Sequence, residues 1–64
     1  MSPWQQRYCA GYEVGVDLVL DRDPEPGELP SLLRRSPYEA GSAEHAGFGD
    51  ALYERDRRFE RRAP

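Results

Sequence analysis

Gly11 and Gly15 stand four residues apart in what otherwise reads as the apolar face of one helix. Trp4, Tyr8, Tyr12, Val16 and Val19 recur on that face at helical spacing, while Gln5, Gln6, Glu13 and Asp17 fall mostly off it. A glycine inside a helix costs about 1 kcal/mol relative to alanine. Two of them on the inner face need compensation, and the close approach of a second backbone supplies it. Trp4 and Tyr8 read as core on the same pattern. The stretch 14–20 is rich in β-branched residues and suits a strand. With no second convincing strand to pair with, a helix over about 3–20 is the better reading. Ser2 is placed to cap it, with Pro3 at the first helical position.

Residues 21–41 read as a linker. Asp21, Asp23, Glu25 and Glu28 alternate with Pro24, Pro26 and Pro30, a composition with little reason to bury anything. Ser31–Arg35 suits one helical turn, stopped by Pro37. Pro37 also pushes Ser36 toward an extended conformation, so Tyr38 stands at a fixed place before a turn. Gly41 supplies a positive φ, Ser42 an N-cap, and Glu44 a negative charge in the first turn of a second helix over about 42–62. Its apolar face is Phe48, Ala51, Leu52 and Phe59, with Ala43 at the start and Tyr53 on the flank. Gly47 and Gly49 again suggest tight contact. The expectation is a single all-α domain over 1–64: a two-helix hairpin joined by a Pro-rich acidic linker.

The motifs in this order resemble those of the ribosome modulation factor family, including the small relatives named for ciprofloxacin resistance. Gly11-Tyr12-Glu13-Val14-Gly15, Ser36-Pro37-Tyr38 and Gly41-Ser42-Ala43-Glu44-His45 follow one another as the family's motifs do, and Phe48 takes the aromatic place three residues beyond the histidine. Ala51 and Leu52 stand where a Gly-Trp pair is usual. The resemblance covers roughly residues 8–55. It implies a small helical protein that docks on the small ribosomal subunit and promotes inactive, stored ribosomes. It also implies that Gly11, Tyr12, Gly15, Pro37, Gly41, Ser42 and Phe48 shape the fold, with Tyr38 and His45 the more plausible contacts.

Charge limits how such a contact is made. Residues 1–33 carry two arginines against six carboxylates, and residues 34–64 seven against six, for a net charge of −3. That balance rules out wholesale phosphate neutralisation and calls for a local patch. Every basic residue is Arg, the better bidentate phosphate ligand. Arg55, Arg58 and Arg62 share one face of the second helix, and Arg57 and Arg61 form another row. They suit a solvated helix end that complements the C-terminal dipole. They equally suit a phosphate-facing patch, extended by Arg34 and Arg35 if the linker folds back, with Tyr38, Tyr53 and Phe59 available to stack on bases.

Enzyme chemistry has little to work with. His45 is the only histidine, Cys9 reads as a small, partly buried hydrophobe, and there is no Gly-rich phosphate loop. One histidine, one cysteine and scattered carboxylates are too few for a zinc site. A non-enzymatic protein without cofactor or metal is expected. No apolar run approaches a membrane span, Met1–Arg7 has no secretory apolar region, and the lone thiol suits a reducing compartment, so a cytoplasmic location is expected. The partner is expected to be small-subunit RNA. The alternative is a protein partner, for a module that regulates a host machine, and the glycine-laced faces also suit a homodimer.

Overall fold

The structure, a computed structural model, describes the backbone of residues 2–62 and the side chains of residues 2–54. Among these residues all regular structure is helical: α1 (Pro3–Arg22), a 3-10 turn (Pro26–Glu28), α2 (Leu29–Arg34) and α3 (Ala43–Arg62). The all-α expectation holds, with α1 packed on α3. No helix of the described residues is long and apolar enough to cross a membrane.

Helix α1 begins where the sequence suggests. The Ser2 hydroxyl accepts the Gln5 N–H at 3.2 Å, and the Gln5 side chain accepts the Ser2 N–H at 3.1 Å, closing a capping box ahead of Pro3. The helix ends at Asp23, which takes a left-handed conformation (φ 48°) and sends its N–H to the Val19 carbonyl, just before Pro24.

The glycines are where α1 and α3 meet. A Cβ on Gly11 would come within 2.6 Å of the Glu44 carbonyl carbon, and one on Gly15 within 2.7 Å of the Ala51 methyl and 2.8 Å of the Phe48 carbonyl oxygen. On the facing helix, a Cβ on Gly47 would lie 2.9 Å from both the Tyr12 nitrogen and the Tyr8 carbonyl carbon. Ala43, Gly47 and Ala51, all buried, form a small-residue stripe at four-residue spacing opposite Gly11 and Gly15. Gly11 meets Glu44, and Gly15 one turn later meets Phe48 and Ala51, so these contacts advance in the same sense along both helices. Main chain against main chain is the compensation that two mid-helix glycines required.

Val19, Leu29, Phe48 and Leu52 form the core, and Leu18, Leu32, Leu33, Tyr38 and Tyr53 pack against it. Leu29 is only 2% exposed. The linker therefore does bury a residue, contrary to the sequence expectation: α2 folds back onto α3 and carries Leu29 inward. Gly49 serves this second contact. Its neighbour is the Leu33 side chain, 3.2 Å from a Cβ built there, and not α1. Trp4 also departs from expectation. It is 56% exposed, and its apolar contact is with the Tyr8 ring, one turn along its own helix. Cys9 is exposed as well.

Candidate functional site

The segment 36–48 folds as one unit over the start of α3. The Ser36 hydroxyl accepts the Tyr38 N–H at 3.1 Å, tightening the chain around Pro37. Gly41 has φ 89°, the left-handed value that a glycine takes without strain. The turn closes with the Ser42 N–H donating to the Glu39 carbonyl at 3.1 Å. The Ser42 hydroxyl then accepts the His45 N–H at 3.1 Å, capping α3. Half-buried Tyr38 sets its ring edge-on to Phe48, with centroids 6.3 Å apart and planes at 68°. Tyr38 thus packs against the core, and it remains partly exposed. Gly11 and Gly15 lie in the helix contact, and Tyr12 is half-buried beside Tyr8.

His45 is held by its backbone in the first turn of α3. Its ring is half-buried, and Nδ1 is enclosed without a hydrogen-bond partner among the described residues. That nitrogen is turned away from solvent and is poorly placed to reach a ligand.

The cations brought together are Arg22 and Arg35, while Arg34 lines neither of the concavities they share; all three are exposed. Arg22 ends α1, Arg34 ends α2, and Arg35 follows it. Two neighbouring concavities share Arg22, Leu32 and Arg35. The larger, of about 400 Å³, also has Glu28 on its wall. The smaller, of about 230 Å³, adds Val14, Leu18, Pro37 and Phe48 and contains no carboxylate. Its lining is apolar apart from Arg22 and Arg35. An anionic group with a flat or apolar portion fits that chemistry, whereas Glu28 makes the larger pocket less favourable for an anion.

Arg22 had not stood out in the sequence. Its signal was position: the last turn of the first helix, just before the linker that returns Arg35. The side chains of Arg55, Arg57, Arg58, Arg61, Arg62 and Phe59 lie outside the described residues.

On α1, Tyr8 donates its hydroxyl to the Asp50 carboxylate across the helix contact. That hydrogen bond, partial burial and the negative charges of Asp50 and Glu54 push the Tyr8 hydroxyl up to about 12.

No family model, curated protein or solved structure matches the chain.

Proposed function

We propose that the chain is a small ribosome-associated binding protein, resembling the ribosome modulation factors, that contacts small-subunit RNA through the Arg22–Arg35 pocket. The observation that carries this is the return of the linker, which sets Arg35 beside Arg22 in a mostly apolar pocket whose lining has no carboxylate. An unpaired base would rest on Leu32 and Pro37, with its phosphate between the Arg22 and Arg35 side chains, and Arg34, the residue before Arg35, is exposed. Such a local contact reconciles RNA binding with a net charge of −3. The order of the Gly-Tyr, Pro-Tyr and Gly-Ser-x-Glu-His motifs supports the ribosomal partner, and with it a role in translation regulation through stored, inactive ribosomes. Action is by binding and not by catalysis, in a cytoplasmic setting.

The test is the salt dependence of affinity for purified small subunits, comparing the wild type with Arg22→Gln/Arg35→Gln. Loss of two phosphate contacts should weaken binding and flatten the log–log salt slope by about 1 to 2. An unchanged slope would remove the pocket from the mechanism.

A further inference from the structure

We propose that α1 carries a second docking site, an aromatic ladder that receives an arginine side chain of a protein partner. It lies in the first half of α1, away from the Arg22–Arg35 pocket, and is independent of the RNA reading. Trp4, Tyr8 and Tyr12 stack at four-residue intervals, with centroids 5.3 Å and 6.2 Å apart and planes within 18° and 24° of parallel. Trp4 ends the series, and at 56% exposure it offers ring surface to solvent. Ring faces carry negative quadrupole potential and attract cations.

Among the described residues, the charges that act on the Tyr8 hydroxyl select the same sign. Asp50 is exposed, and the Tyr8 hydroxyl fixes its carboxylate beside the ladder. A carboxylate has about four lone-pair sites, so one such bond leaves room for further donors. The charge of Glu54 also reaches Tyr8. Arg7, three residues from Trp4, is the only cation in the 3–21 stretch. Nucleic acid also stacks on aromatic rings, but its phosphates would meet these carboxylates. A guanidinium suits both features, because it lies flat on a ring while its edge donates to a carboxylate.

Trp4 is the only tryptophan, so its fluorescence reports occupancy directly. The full chain would be titrated with a blocked arginine–glycine peptide, with its citrulline analogue, and with a single-stranded oligoribonucleotide. The arginine peptide should give a saturable change. Citrulline in the peptide, or Asp50→Asn in the protein, should weaken it by about two- to fivefold. Arg34→Gln/Arg35→Gln should leave it unchanged, which separates this site from the RNA pocket. Circular dichroism would verify that Asp50→Asn, an exposed change, retains helicity. Absence of a saturable change, or equal binding of the citrulline peptide, would overturn the proposal. So would oligoribonucleotide binding that Trp4→Leu abolishes, read by the anisotropy of a fluorophore on the oligoribonucleotide. A self-associated dimer that the arginine peptide fails to displace would assign the ladder to a second copy and overturn it equally.

Discussion

Gly47 rests directly on the main chain of Tyr8, so that any Cβ at position 47 would collide with the Tyr8 carbonyl group. Backbone cannot yield as a flexible side chain can. The usual gain of about 1 kcal/mol for Gly→Ala in a helix is therefore reversed at this position. Gly47→Ala and Gly11→Ala should each destabilise by about 3 kcal/mol or more, enough to unfold a marginal small domain. Gly49→Ala should be near neutral, because Leu33 can move, and Gly27→Ala should change little, because nothing lies within 4 Å. Denaturant unfolding followed by circular dichroism checks the order.

Leu29 tests whether the linker belongs to the core. Leu29→Ala should cost about 2–5 kcal/mol, as removal of a buried leucine does elsewhere. A truly unpacked linker would show almost no change in the unfolding midpoint.

Ser42 caps α3 through the His45 N–H. Ser42→Ala should lose about 1 kcal/mol, while Ser42→Asp should retain most of the stability. Thermal melts of the two variants measure the difference.

Tyr8 links stability to alkaline pH. Its hydroxyl is raised from 10.0 to about 12, because ionisation would place a phenolate against Asp50. The folded state thus holds this proton more tightly than the unfolded chain. The contribution is whole below pH 10 and is lost as pH rises from 10 to about 12. In a tyrosinate absorbance titration, one of the four tyrosines should ionise late. Asp50→Asn should bring it back toward its ordinary value.

The features legible in the sequence were those with local causes. Gly41 and Ser42 announce a turn and a cap by their own chemistry, and Gly11 and Gly15 violate helix propensity on an apolar face. Leu29 lay among prolines and acids, where no periodicity marks an inward side chain. Its burial follows from the return of α2, which is a tertiary event. Trp4 continued the apolar spacing of α1, but spacing defines a face and not how far a partner helix covers it. Arg22 and Arg35 are thirteen residues apart, and only the folded linker brings them to one pocket.

We propose that this net-acidic chain binds the small ribosomal subunit through a local arginine pocket. Co-sedimentation of the purified protein with purified small subunits, at low and moderate salt, tests it most directly. Saturable pelleting at low salt that weakens as salt rises is the expected result. No pelleting at low salt would contradict it.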